Sequence, residues 1–314
     1  MVELKRIAIF VAQNKGCDDL RRTCSLGLRW LRRTNTNNMK DMNRQFLLSL
    51  LLALSCWGVA QAKTERLTIQ GDHGRLVCEL QTPDVMPRRC PIVILCHGFG
   101  GSRNNGLFNG IADGLEAKGI ATIRFDFNGH GESEGDFQQM TVPNEVVDAH
   151  RVYDWVKADG RFGRVGLVGH SQGGVVAAML AGELGKRALK GGVVLLAPAG
   201  VLRDDAIRGT VAGQPPFKGD PLDPPEYVEV WGRRLGRNYI TSAFSLPIYE
   251  TAARYKGRAC VVHGTADRVV PYTYGLRFHQ QWRGSQWHLL DRFDHGFGPR
   301  PEEAVRITVE FFKP

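Results

Sequence analysis

The sequence predicts an α/β fold: a mostly parallel sheet covered by helices on both faces, with a cap inserted between a late strand and the strand that leads to Asp267. Three observations predict it. Short, continuous apolar runs of the kind that form buried parallel strands recur at Ile92–Cys96, Ala121–Phe125, Val165–Val168, Val193–Ala197 and Ala259–Val262, with a weaker one at Trp287–Leu290. Helical patterns separate most of them, at Leu107–Lys118, Asn144–Ala158, Gln172–Leu184, Tyr272–Gln281 and Glu302–Phe312. The stretch between Ala197 and Arg258 is about 60 residues long, far beyond an ordinary strand linkage.

The elements follow in chain order. Residues 1–38 are rich in Arg and Asn without a strong apolar period and read as an upstream extension outside the folded protein. From Met39 or Met42 a basic start (Lys40, Arg44) leads to the apolar run Phe46–Ala60 and the small-residue tripeptide Ala60-Gln61-Ala62. This is the three-part pattern of a secretory signal peptide over 39–62, cut after Ala62. The run is about 15 residues, short of the roughly 20 that span a bilayer, so no stable membrane span is expected. The sequence thus predicts an exported protein, periplasmic or secreted, with lipid attachment at Cys56 ranked second.

The expected α/β domain occupies 63–314. It opens with two alternating segments, Arg66–Gln70 and Arg75–Gln81, joined by Gly71-Asp72-His73-Gly74, the pattern of a hairpin. The sheet and its helices follow, and the cap falls at about 199–250. Its prolines, at 215, 216, 221, 224 and 225, make part of it irregular, while Tyr227–Leu235 and Ile248–Tyr255 are predicted as helices. Trp231, Tyr239 and Phe244 give it more aromatic content than a disordered linker carries. A cap in this place lies over the carboxyl edge of the sheet, where open α/β folds bind their ligands.

Charge narrows the functions. The formal net charge is +9, but residues 1–62 hold 10 of the 41 Lys and Arg and 4 of the 32 Asp and Glu, which leaves 31 and 28, or +3, in the remainder. A mixed-charge surface of that kind argues against a nucleic-acid partner. Of seven cysteines, Cys78, Cys90, Cys96 and Cys260 lie beyond residue 62, too few for a disulfide scaffold. Cys96 and Cys260 sit within apolar strands as small core residues, and spacing alone does not say whether Cys78 pairs with Cys90.

The strongest chemical signal is Gly169-His170-Ser171-Gln172-Gly173, between the strand Val165–Val168 and a helical pattern. In that setting G-x-S-x-G is the nucleophile elbow of α/β-hydrolases, a turn so tight that glycines flank a serine raised above the sheet. A serine hydroxyl needs a base to take its proton, and the base needs a carboxylate to orient it, in the chain order Ser, Asp, His. Of nine histidines, His295 follows the last strand in the loop Phe293-Asp294-His295-Gly296-Phe297 and is the candidate base. His73, His97, His130 and His150 precede the serine, and His170 adjoins it on the other side of the turn. His263, His279 and His288 fall in strand or helix patterns. Asp267, just after the strand Ala259–Val262, is the candidate acid, with Asp291 and Asp294 as rivals too near His295 to turn back on it. Asp126 reads as a structural acid for the Asn128–Gly135 loop. Acyl transfer also needs amides aimed at the developing oxyanion; those of Gln172 and of Phe99, in His97-Gly98-Phe99-Gly100-Gly101, are the candidates. Neither a metal nor a cofactor is called for.

Several stretches together resemble the bacterial feruloyl (cinnamoyl) esterases of the α/β-hydrolase superfamily: Cys96–Gly101, Arg124–Ser133, Gly169–Ala177, Leu195–Ala199, Leu246–Glu250 and Val262–Asp267. The likeness runs from about Pro91 to the end. It implies hydrolysis of esters that join ferulic or p-coumaric acid to plant cell-wall sugars or small alcohols, so the implied partner is a small-molecule or polysaccharide-linked ester. It further implies that Asp205, near the start of the cap, and Tyr239, near its end, reach the ring hydroxyl of the aromatic acid. Departures from the family fall at Ala212, where relatives carry a glutamine and this chain has Gln214 nearby, and over Lys218–Gly236. The same residues leave open a general carboxylesterase or short-chain lipase, a serine peptidase of the superfamily, and a hydrolase fold kept as a binding module. No motif speaks to the oligomeric state.

Overall fold

A computed structural model describes residues 63–298 and 300–313; the expected upstream extension at 1–38 and the expected signal peptide at 39–62 lie outside the described residues. Strand β1 (Lys63–Gln70) pairs antiparallel with β2 (Arg75–Thr82) around the predicted turn, which the Gly71 N–H closes by donating to the Gly74 carbonyl at 2.8 Å. β2 pairs antiparallel with β4 (Ala121–Phe125). Every pairing from there on is parallel: β4 with β3 (Cys90–Cys96), then β5 (Phe162–His170), β6 (Gly192–Leu196), β9 (Ala259–Gly264) and β10 (Gln286–Leu290). The sheet order is β1-β2-β4-β3-β5-β6-β9-β10. After β3 the chain steps outward to β4 and then returns past β3 to lay down β5. The carboxyl ends of β3 and β5 therefore flank a switch point, where such sheets leave a crevice.

Alternation along each strand feeds two cores. Val93, Leu95, Val168, Val194, Leu196 and Val262 pack under α1 (Gly106–Glu116) and α8 (Pro301–Phe312), which contribute Phe108, Ile111, Leu115, Ile307 and Phe311. Ile92, Ile94, Ile123, Leu167, Leu195 and Val261 pack on the other face under α2 (Val142–Ala158), α3 (Gln172–Ala188) and α7 (Tyr272–Gln281). Burial on both faces is why these strands read as unbroken apolar runs. Each large side chain so covered contributes about 1.5–3 kcal/mol. The Asn105 side chain caps α1 by accepting the Phe108 N–H at 2.9 Å, and Thr141 opens α2 ahead of a proline in its first turn.

Between β6 and β9 lies the insertion: α4 (Leu202–Arg208), β7 (Tyr227–Val230), β8 (Arg233–Gly236), α5 (Arg237–Phe244) and α6 (Ile248–Ala252). The helix expected over Tyr227–Leu235 is instead an antiparallel hairpin with Val228 facing Leu235. Its two-residue turn is Trp231-Gly232, at φ 52° and 73°, the doubly positive conformation that matches strand twist. Val228, Val230 and Leu235 are buried, so a period of two had been present and the helical reading missed it. The helix expected over Ile248–Tyr255 stops at Ala252. Cys78, Cys90, Cys96 and Cys260 are all buried free thiols; Cys78 and Cys90 do not pair.

Candidate active site

The turn from β5 into α3 places Ser171 at φ 57° and ψ −122°, a conformation that an L-residue adopts only under constraint. Glycines on either side make the turn feasible. A Cβ on Gly169 would lie 2.1 Å from the Gly173 carbonyl oxygen, and one on Gly173 would lie 2.1 Å from that of Cys96. The spacing of the motif is thus a packing requirement between the elbow and the end of β3.

The structure brings Ser171, His295 and Asp267 together. His295 Nε2 lies 2.8 Å from Ser171 Oγ, and its Nδ1 lies 2.7 Å from Asp267 Oδ2. Asp267 Oδ1 accepts the Val269 and Val270 amides at 2.9 and 2.8 Å. Burial opposes the charge on this carboxyl, but hydrogen bonds from His263 and His295, the charge interaction with His295 and the Val270 amide outweigh it and hold the carboxyl well below the usual carboxylate range. An ionised Asp267 keeps a proton on His295 Nδ1, which turns the Nε2 lone pair toward the serine. The two rivals are engaged elsewhere: Asp294 accepts the Gly296 and Gly298 amides, and Asp291 accepts the Thr265 hydroxyl.

The loop after β3 lies beside the serine: a Cβ on Gly98 would come within 2.9 Å of Ser171 Cβ. Two buried histidines brace that loop. His97 Nε2 accepts the Phe127 amide at 3.1 Å while Nδ1–H donates to the Gly98 carbonyl at 2.8 Å. His130 Nε2 accepts the Gly100 amide at 3.2 Å, and its Nδ1–H donates to the Asn128 carbonyl. An imidazole that both accepts and donates is neutral, in accord with burial pulling His97 down to about 4 and His130 to about 3. The Phe99 amide between these braces, and that of Gln172 at the start of α3, belong to the walls of one cavity that also contains Ser171 and His295.

The family described as serine aminopeptidase, S33, matches residues 87–217. Est1E from Butyrivibrio proteoclasticus, in a structure with ferulic acid bound, superposes with a TM-score of 0.73 at 28% identity, over 78% of this chain and 97% of that one. An uncharacterised 31.7 kDa Escherichia coli protein is 38% identical over 86 residues, which are 27% of this chain and 30% of the relative. The esterase EstD of Thermotoga maritima is 36% identical over 115 residues, 34% of this chain and 27% of that protein. The chain thus spans less than a third of the length of these curated relatives. The eight-stranded sheet, its elbow and its Est1E-like course decide the matter. The chain has the α/β-hydrolase fold. The likeness to Est1E extends through the three-dimensional course of most of the chain.

The cavity over Ser171 measures about 640 Å³. Phe99 lines it, with Trp231 and Tyr239 at 5.5 and 5.6 Å between ring centroids. Asp205 and Tyr239, far apart in the cap sequence, both line it, as does Ala212; Gln214 is exposed and takes no part in the lining. Asp205 Oδ1 accepts the Thr210 hydroxyl at 2.9 Å, and burial pushes its carboxyl up, against the hydrogen bond from Thr210. The Tyr239 hydroxyl donates to Gln172 Oε1 at 2.6 Å, and Gln172 Nε2 donates to Glu145 Oε2 at 2.8 Å.

Four participants escaped the sequence reading. His263 Nε2 lies 3.1 Å from Asp267 Oδ2 and 2.9 Å from the Val270 carbonyl, beneath the acid rather than in an anonymous core. His170 Nε2–H donates to the His295 carbonyl at 2.9 Å and so anchors the loop that carries the base. His130 braces the Gly100 end of its loop, and Glu145 is wholly buried beneath Gln172. A sequence signal existed for one of them, since His263 begins the run His263-Gly264-Thr265-Ala266-Asp267. Asp126, expected to support the loop after β4, accepts the Arg103 and Glu132 amides and an ion pair from Arg103. Among the described residues no group of three or more His, Cys, Asp or Glu is placed to hold a metal ion.

Proposed function

We propose that this α/β-hydrolase is a serine esterase that cleaves hydroxycinnamate esters, feruloyl and p-coumaroyl among them. One observation carries the reading: Asp205 and Tyr239 both line the cavity that contains Ser171, an arrangement suited to a phenolic acid whose carbonyl reaches the serine. The aromatic faces of Phe99 and Trp231 in the same wall favour a planar ring, and the likeness to Est1E with ferulic acid bound supports it.

The chemistry is a two-step acyl transfer. His295 Nε2 takes the Ser171 proton as Oγ bonds to the ester carbonyl carbon, and the resulting oxyanion sits against the Phe99 and Gln172 amides. Collapse breaks the bond to the alcohol oxygen, which leaves with the proton from His295. Water then repeats the sequence on the acyl-serine, releasing the acid and regenerating Oγ–H. The reading includes export, on the pattern at 39–62, and action on plant cell-wall esters.

A general carboxylesterase uses the same residues, and the aliphatic lining from Val201, Leu202, Val269 and Val270 favours it as the second reading. Comparing kcat/KM for methyl ferulate and p-nitrophenyl butyrate tests the two. A phenolic substrate preferred by tenfold or more is expected; preference for the butyrate would leave only the carboxylesterase.

A further inference from the structure

Glu145 has no part in the acyl transfer, yet it sits in the first turns of α2 as a buried carboxyl with one oxygen, Oε1, that has no hydrogen-bond partner. Its other oxygen receives Gln172 Nε2–H at 2.8 Å. That bond decides which way round the Gln172 amide lies. With the nitrogen turned to Glu145, the amide oxygen faces Tyr239 and takes its hydroxyl proton at 2.6 Å. Gln172 is itself 1% exposed, so neither end of its amide can find water instead.

A tyrosine whose proton is committed inward can offer a ligand only its oxygen lone pairs. The neighbouring groups have the same sense. Asp205 is a carboxyl, and the Thr210 hydroxyl donates its proton to Asp205 Oδ1. Ala212 completes this part of the wall without a polar side chain. Leu202, Asp205, Ala212 and Tyr239 also border a second, much smaller pocket, so this stretch of wall is shared between the two.

We propose that Glu145 is a specificity-positioning residue: through Gln172 it fixes the Tyr239 hydroxyl as an acceptor, so that the wall formed by Asp205 and Tyr239 presents two acceptors and selects acyl groups bearing two adjacent phenolic hydroxyls, the caffeoyl type, over those bearing one. This rests on the hydroxycinnamate reading above. Burial pushes the Glu145 carboxyl well above the usual range, against the hydrogen bond from Gln172, and a proton retained there sits on Oε1, because Oε2 is occupied as an acceptor. A 3,4-dihydroxy ring gives one proton to each acceptor. A ring with a single 4-hydroxyl satisfies one and leaves the other buried and unpaired, and a 3-methoxy group supplies no proton.

The test is kcat/KM for methyl caffeate, methyl p-coumarate, methyl ferulate and p-nitrophenyl butyrate, measured on the wild-type chain and on Glu145→Met and Tyr239→Phe. A ratio between two substrates of one preparation does not depend on how much of it is folded. The wild type is expected to favour caffeate over p-coumarate by about tenfold, roughly the effect of one hydrogen bond to a group otherwise left unpaired. In Glu145→Met the Gln172 amide is free to turn over and lend Tyr239 a donor role, and the ratio falls at least threefold. Tyr239→Phe deletes the second acceptor and lowers the same ratio, which keeps the test decisive if Glu145→Met fails to fold. Equal or better use of p-coumarate by the wild type would mean that the Tyr239 hydroxyl donates, and would overturn the proposal; so would an unchanged ratio in Glu145→Met. Turnover of the butyrate with none of the three phenolic esters would instead remove the hydroxycinnamate reading, and this inference with it.

Discussion

His295 Nδ1 and Asp267 Oδ2 meet at 2.7 Å on a carboxylate whose other oxygen is already held by the Val269 and Val270 amides. The acid therefore cannot rotate away from the base without leaving two backbone donors unpaired. Base, acid and nucleophile are fixed as one unit, and substitutions within it are expected to be strongly non-additive.

Ser171→Ala and His295→Ala should each lower kcat for an ester substrate by on the order of 10⁴-fold or more, and the double variant should be little worse than either. Unchanged circular dichroism together with this loss is the expected result. Turnover within tenfold of wild type in either single variant would contradict the assigned roles.

Strain at the elbow predicts a trade between activity and stability. Ser171 has φ 57°, which costs an L-residue about 1–3 kcal/mol and a glycine much less. Ser171→Gly should therefore exceed Ser171→Ala in stability by about 1 kcal/mol, after allowing for the greater entropy of glycine in the unfolded chain. Chemical denaturation of the two inactive variants compares them directly. Gly173→Ala should fail to fold, since its Cβ would meet the Cys96 carbonyl.

Three neutral histidines make stability depend on acid. Burial is the main cause that lowers His97 and His170 to about 4 and His130 to about 3, against 6.5 for a free imidazole. Below about pH 6.5 the unfolded chain binds protons that the folded chain refuses until about pH 4, so stability is complete above that window and declines as pH falls through it. These three should together take up nearly three protons on unfolding at pH 5 and none at pH 8, offset by about one released at pH 5 from Asp148, whose carboxyl burial raises to about 6; the net difference of about two is readable by calorimetry in buffers of different ionisation enthalpy. His130→Gln, whose amide oxygen can still receive the Gly100 N–H, should reduce the uptake by about one. Equal uptake at both pH values would refute the neutral assignments.

Asp267 behaves in the opposite sense. Its depressed folded value contributes stability above about pH 4, lost only as pH falls through that low folded value, so it remains ionised wherever the enzyme is active. His263→Phe removes one donor from Oδ2 and should lower kcat about tenfold while leaving KM within twofold; a change in KM alone would show that His263 serves only packing.

Much of this was legible in the sequence because the governing constraints are local. The glycines around Ser171 are demanded by contacts within one turn and the end of one neighbouring strand, and the apolar runs by burial on both sheet faces. His295 was distinguishable from eight other histidines because it alone occupied a loop between the last strand and the last helix. The hairpin Tyr227–Gly236 was misread because Val228, Val230 and Leu235 fit a short helix as well as two strands, and only the pairing across Trp231-Gly232 decides between them. Glu145 was illegible for another reason. Its role is set by a partner 27 residues on, and in isolation it looks like one more acid near the start of a helix.

The four enclosed sulfur atoms carry a consequence for how the chain is made. Burial pushes Cys78 and Cys260 up to about 12 and raises Cys90 and Cys96 as well, so the reactive thiolate is scarce and sealed from oxidants. Among the described residues, folding then requires no covalent bridge and no isomerase to correct one. The domain over 63–313 should tolerate reducing and oxidising surroundings equally, and its recovery from denaturant should proceed at the same yield with or without dithiothreitol.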